Sequence, residues 1–321
     1  MNPHYSKERL FLLIIILFLV IVAGIFNGAV NIPWQQLFLK ENQPIMNLRI
    51  FRIIVAIIAG SGLAISGIVL QAILRNSLAE PYILGTSSGA GLGAVIAITL
   101  GLSRLYLPLA AFIGAILSVI LVYNLARQNN KIQQQSLILS GVIISIALSA
   151  IIVFLVSLSR NESLHEVTWW LWGSLQVYDL KLLFFVSLIV IFGISIIYLF
   201  SHDLNAIVLG EEEAIHLGVD IELVKKILII ITALITASIV SICGIIGFVG
   251  LMVPHIMRMV VGPNHKILIP LTCIAAAIFM VVCDFLSRII FPPLEIPIGV
   301  ITACLGAPVF IILLKRKEGI K

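Results

Sequence analysis

Residues 244–258 read GIIGFVGLMVPHIMR. Three glycines (Gly244, Gly247, Gly250) precede a Pro254–His255 pair, with Arg258 one turn later. The stretch closes a run without Asp, Glu, Lys or Arg that extends from Ile227 to Met257. Glycine at that density, followed by proline, loosens or breaks a helix interior. In a bilayer such backbone survives only where it is buried in protein or lines a cavity. Two readings stand on these residues alone: two helices joined by a Gly-rich turn, or a broken segment beside a transport path.

The rest of the chain is of the same character. Of its 321 residues, 61% are hydrophobic and 11% charged, and the mean hydropathy is +1.18. Ordinary soluble chains carry roughly 25% charged residues. A soluble fold is therefore excluded, and the composition defines an all-α polytopic membrane protein. The net charge of +5 requires no nucleic acid, because basic residues held on the cytoplasmic side supply it. Phe11–Ala23 has the length of a signal peptide core. No small-residue cleavage site stands out, and the charge-free stretch continues to Leu39, so it reads as a first span. Cys243, Cys273, Cys283 and Cys304 show no CxxC spacing and read as buried small hydrophobes. His165, His202, His216, His255 and His265 form no metal-ligand spacing.

A span needs about 20 apolar residues. Nine charge-free blocks meet or exceed that scale, and the seventh, Ile227–Met257, is too long for one helix. Its glycines divide it near 244–250, which gives about ten transmembrane helices. An even count puts the basic N- and C-terminal segments on one side. That topology places thirteen of the 20 Lys and Arg residues with the termini in the cytoplasm, as the positive-inside rule prefers. Small residues recur every fourth position at Ala56, Gly60, Ala64 and at Gly85, Gly89, Gly93, Ala97, which predicts two closely packed helix faces. Span centres carry almost no charge, which argues against a proton relay or an ion-coupled carrier. Asp284 and Arg288, one turn apart, predict a local ion pair. A weak internal echo links Ala64–Asn76 with Ser241–Arg258, each a small-residue-rich segment before an arginine; duplicated halves are common in transporters.

Several motifs, in order along nearly the whole chain, carry a resemblance to one family. They are LRIFR (Leu48–Arg52), SGLAISGIVLQAILRNSLAEPYILGTSSGAG (Ser61–Gly91), ILSGVIIS (Ile138–Ser145), WLWGSL (Trp170–Leu175), LGEEEAIHLGVD (Leu209–Asp220), GIIGFVGLMVPHIMRMVVGPNHK (Gly244–Lys266) and EIPIGVITACLGAPVFIILL (Glu295–Leu314). The chain resembles the permease subunits of ABC importers for iron–siderophore, haem and cobalamin, the FecCD or BtuC-like family. Phe51 departs from the pattern, which has proline there; that change is expected to relax the external start of the second helix.

The resemblance implies a single permease domain, 1–321, of ten helices working beside a second permease copy, either identical or related. It implies no enzyme activity and no cofactor in this chain. ATP and Mg would sit on separate ABC ATPase subunits, consistent with the absence of a GxxxxGK[ST] P-loop. The loop at about 201–226 would hold short cytoplasmic coupling helices. Within it GEEEAIHLG reads as a short helix bounded by Gly210 and Gly218, with its acids at the dipole-favoured end. Glu211, Ala214, Leu217 and Gly218 would contact the ATPase. Arg49, Arg52 and Arg288, with Arg160 as an addition, would dock acidic groups of a periplasmic or lipoprotein substrate-binding protein. On the residues alone, interfacial anchoring explains these arginines equally well. The conduit would be lined by Ser61, Ser66, Gly67, Gly244, Gly247, Gly250, Pro297 and Gly299. Iron–siderophore is the default substrate, with haem, cobalamin and molybdate as alternatives. The expected location is the prokaryotic inner membrane. Trp169, Trp170 and Trp172 read as an interfacial aromatic belt. An intramembrane enzyme lacks support, since GxSxG and paired intramembrane acids are absent, and a stand-alone secondary transporter would not need a coupling loop.

Overall fold

The computed structural model describes residues 3–30, 32–36, 39–103, 105–128, 131–159, 161–177 and 179–318; Arg160 lies outside them. The described residues form a helical bundle. Its helices are α1 (Pro3–Phe26), α2 (Gln43–Ile73), α3 (Thr86–Thr99), α4 (Tyr106–Ala126), α5 (Gln134–Ser157), α6 (Asn161–Leu171), α7 (Leu180–Leu199), α8 (Ser201–Leu209), α9 (Glu211–His216), α10 (Ile221–Cys243), α11 (Val249–Val261), α12 (His265–Ile289) and α13 (Ile298–Glu318). A two-residue ladder, β1 (Arg127–Gln128) on β2 (Lys131–Ile132), turns the chain between α4 and α5.

Among the described residues seven helices are long and apolar enough to cross a membrane, and α3, α11 and the apolar part of α13 are shorter apolar segments. The seven and the three together account for about ten spans. At about 1.5 Å per residue, the 14 residues of α3 and the 13 of α11 reach only about 20 Å, short of a hydrocarbon core of about 30 Å. They are held by protein rather than by lipid.

The core forms around α2, which packs on α12, α10 and α11. The predicted small faces are the contact surfaces. A methyl at Gly60 would meet the Ala276 carbonyl of α12 at 2.5 Å, and one at Gly93 would meet the Ala110 carbonyl of α4 at 2.1 Å. Such approach of helix backbones is what small residues allow in lipid. The helices α1 and α5 bury little of their surface within the chain.

One expectation needs correction, and one helix was not expected. The second helix does not begin near Phe51. It begins at Gln43, with a proline in its first turn, where a proline costs nothing because those N–H groups have no helical partner. Phe51 therefore lies inside a continuous helix. Likewise, Asn161–Leu171 forms a helix that no apolar block announces.

Candidate functional site

The break between α10 and α11 falls at residues 244–248. Gly244 adopts φ +69° and Phe248 also adopts φ +69°. Only glycine takes that conformation at no steric cost, so Phe248 is the strained position. Backbone groups freed by the break need partners, and several of them have one. The Cys243 carbonyl accepts from Ser174 N–H at 2.7 Å. The Tyr82 hydroxyl donates to the Ile246 carbonyl at 2.9 Å and accepts from Ile246 N–H at 3.1 Å. Glu80 accepts from Phe248 N–H at 2.9 Å, supplying the N-terminus of α11 with the acceptor that orphan helix N–H groups need. Burial pushes the Glu80 carboxyl above the ordinary range, and the Phe248 N–H draws it partly back. Sequence reasoning missed Glu80 and Tyr82. The available signal was an acid standing between two apolar runs, immediately before Pro81.

The two echo segments meet here. Gln71 of α2 donates to the Gly250 and Leu251 carbonyls at 3.3 Å, and Arg258 donates to the Gln71 side chain at 3.1 Å. A methyl on Gly67 would sit 1.8 Å from the Gly250 carbonyl oxygen, so the two backbones are in contact. Ser66 is buried and Ser61 donates to the Cys273 carbonyl at 3.1 Å. Ser66, Gly67 and Gly250 are therefore buried where the chain packs against itself, while Ser61 is half-buried. Gly244 is likewise buried against Trp170. Gly247, Pro297 and Gly299 keep partial exposure.

At the start of α2 the three predicted arginines come together around a cavity of about 200 Å³ that also touches Glu295 and Gln176. They are not an open pair on a helix face: Arg49 is 4% exposed, Arg52 8% and Arg288 2%. Arg49 donates to the Ile25 and Val30 carbonyls at 2.8 and 2.7 Å, closing the turn after α1. Arg52 pairs with Asp284 at 2.8 Å and Glu295 at 2.5 Å. Arg288 pairs with Asp284 at 2.8 Å, the predicted local ion pair, and donates to the Gly24 and Asn27 carbonyls at 3.1 Å. Five charged groups, three positive and two negative, leave one positive charge uncompensated among them.

The far end of α2 is fixed to the short helices. Arg75 donates to the Ile207 carbonyl of α8 at 3.0 Å. Asn205 of α8 accepts from His265 N–H at 2.9 Å at the start of α12. Lys225 of α10 binds Glu211 of α9 at 2.7 Å. The predicted short helix is present as α9, and Gly218 follows it at φ +82°. Leu217 is 65% exposed, as are Leu209 and Ile215 to a similar degree. Ala214 is 0% exposed. It faces into the chain and cannot touch a partner, which corrects its assignment. Leu209, the last residue of α8, and Ile215 of α9 were missed, because exposure on helices of nine and six residues has little readable period.

Among the described residues no group of His, Cys, Asp and Glu is arranged to hold a metal ion, and the four cysteines are free. His165 stacks on Trp169 beside a cavity of about 700 Å³ that both line, and Trp172 meets Trp169 at a tilt of 58°.

A helix broken between apolar segments and bonded by side chains from elsewhere in the bundle belongs to a polytopic membrane protein and is the kind of discontinuous segment that transporters use. The profile of the FecCD transport family matches residues 13–316, and the chain belongs to that family. The cobalamin import system permease protein BtuC of Halobacterium salinarum is 37% identical over 304 residues, covering 90% of this chain and 81% of that protein. The Fe(3+) dicitrate transport system permease protein FecD of Escherichia coli is 35% identical over 297 residues, covering 90% and 92%. A solved structure described as an inward-facing conformation of a metal-chelate type ABC transporter superposes with a TM-score of 0.87 at 34% identity, covering 97% of this chain and 99% of that one.

Proposed function

We propose that the chain is the permease subunit of an ATP-driven ABC importer in the prokaryotic inner membrane, carrying ferric chelates of the iron–siderophore type. The observation that carries the reading is the α8–α9 unit. It is tied to α2, α12 and α10 by polar contacts while Leu209, Ile215 and Leu217 stand outward. An apolar face braced on three helices is what a driving subunit needs to push against. Family membership and the metal-chelate relative support the same assignment.

In this reading both termini are cytoplasmic, with the α8–α9 end facing the ATPase. Glu211 and Gly218 shape α9, and Leu217 makes the apolar contact. At the other end, the arginine cavity receives an acidic side chain of a substrate-binding protein; its one uncompensated positive charge supports that role. A second permease copy completes the conduit, with Gly247, Pro297 and Gly299 at its edge. Hydrolysis belongs to the ATPase, which binds ATP and Mg. Ferric dicitrate transport by one relative supports iron. Cobalamin is the second reading, favoured by the 37% identical relative.

The test is affinity purification of the tagged chain in mild detergent from its host, followed by uptake assays. A co-purifying P-loop ATPase and uptake of labelled ferric siderophore are expected. Uptake of labelled cobalamin alone would move the substrate to the second reading. Reproducible absence of an ATPase would remove the importer assignment.

A further inference from the structure

Two adjacent lysines open α10, and they have opposite fates. Lys226 is exposed, whereas Lys225 is 1% exposed. The buried ammonium lies between two carboxylates: Glu211, the first residue of α9, at 2.7 Å, and Glu222, one turn back on α10, at 3.6 Å. Glu222 uses its other oxygen to accept from the Ile132 N–H at 3.1 Å. Ile132 is buried in the core and pairs with Arg127 across the ladder that joins α4 to α5. One continuous chain of polar contacts thus runs from α9 through Lys225 and Glu222 to the α4–α5 hairpin.

We propose that Lys225 is a positioning residue that transmits movement of the α8–α9 unit to the α4–α5 hairpin, and so to α5, through this shared ammonium. The inference rests on the reading of α8–α9 as the ATPase contact. A buried charge cannot be left without its partner, so when α9 shifts, Lys225 either follows Glu211 or loses it. Following it drags Glu222 and the hairpin along. The contact differs from a surface ion pair in its buried ammonium, although the Glu211 and Glu222 side chains are 47% and 35% exposed. The helix α9 packs on α8 and α10, and α10 in turn contacts β2 of the hairpin. Neither Lys225 nor Glu222 belongs to the proposed ATPase-contacting set.

The test uses the complete transporter, with its ATPase and binding protein, in liposomes. ATP hydrolysis and substrate uptake are measured together for Glu222→Gln, Lys225→Met and Lys225→Arg. Glu222→Gln cuts the hairpin arm and leaves the α9 arm intact. It is expected to keep hydrolysis within about twofold while lowering uptake per ATP by about fivefold or more, the scale of a coupling free energy. Lys225→Met, where it assembles, gives the same uncoupling, and Lys225→Arg restores coupling because a guanidinium satisfies both carboxylates. Uptake per ATP at the unaltered level in Glu222→Gln would overturn the joint while leaving the importer standing. If the unaltered chain binds no ATPase, both fall together.

Discussion

Asp284 is the residue on which the charge cluster turns. It is fully buried and holds Arg52 and Arg288, each at 2.8 Å. Removing it takes from Arg288 its carboxylate partner among the described ion pairs and leaves Arg52 with Glu295 alone, and breaking a single buried pair costs about 3–5 kcal/mol. Asp284→Ala is therefore expected to lower the thermal midpoint of the detergent-solubilised protein markedly; an unchanged midpoint would mean that water already reaches these arginines. The glycines make a second residue-scale comparison. Gly67→Ala drives a methyl into the Gly250 carbonyl and is expected to destabilise by about 1–3 kcal/mol, the cost of overpacking. Gly247→Ala meets only the Glu80 side chain at 3.9 Å and should leave the same melting curve unchanged. Equal midpoints for the two variants would show that α11 shifts freely on α2.

At the scale of elements, the break between α10 and α11 was legible in the sequence because its cause is local: glycines and a proline inside an uncharged run. Its support was not. Glu80 lies 168 residues from Phe248, and no local pattern encodes a contact across that separation. For the same reason the sequence placed Arg49, Arg52 and Arg288 near one another at one end but read them as an open surface. Their partners, Asp284 and Glu295, are more than 200 residues from Arg52. The helix α6 escaped because its segment carries polar and charged residues and offers no apolar block of span length. These supports make predictions of their own. Glu80→Ala leaves the Phe248 N–H without an acceptor, and a buried unsatisfied donor costs about 1–3 kcal/mol. Amide exchange at residues 246–249 is then expected to quicken by about tenfold, with α2 unaffected; exchange at the original rate would mean that Tyr82 alone holds the break. In α9, Leu217→Asp should detach the ATPase and leave the melting curve intact, whereas Ala214→Asp should lower the melting curve itself. Co-purification of the ATPase with Leu217→Asp at the unaltered level would sink the contact assignment.

For the whole molecule, the two ends of α2 divide the labour, with charge at one end and a braced apolar face at the other. The charge end gives the last prediction. Arg49 bonds only to main-chain carbonyls among its described hydrogen bonds, so Arg49→Gln removes one positive charge while keeping donors to close the turn after α1. It leaves the Arg52–Asp284–Arg288 pairs intact. If an acidic binding protein docks there, its affinity for the transporter in liposomes should fall by about tenfold, or about 1.4 kcal/mol. Glu295→Gln works in the opposite sense. It removes the half-buried negative partner of Arg52, frees positive charge toward the cavity mouth, and should tighten docking. Both effects act through a surface field, so they should shrink as salt rises and the screening length falls from about 10 Å at 0.1 M to about 3 Å at 1 M. Changes of opposite sign that converge at high salt are the signature of electrostatic docking. Equal losses in both variants, independent of salt, would instead assign the cluster to holding α1, α2 and α12 together and would place the docking surface elsewhere on that end of the bundle.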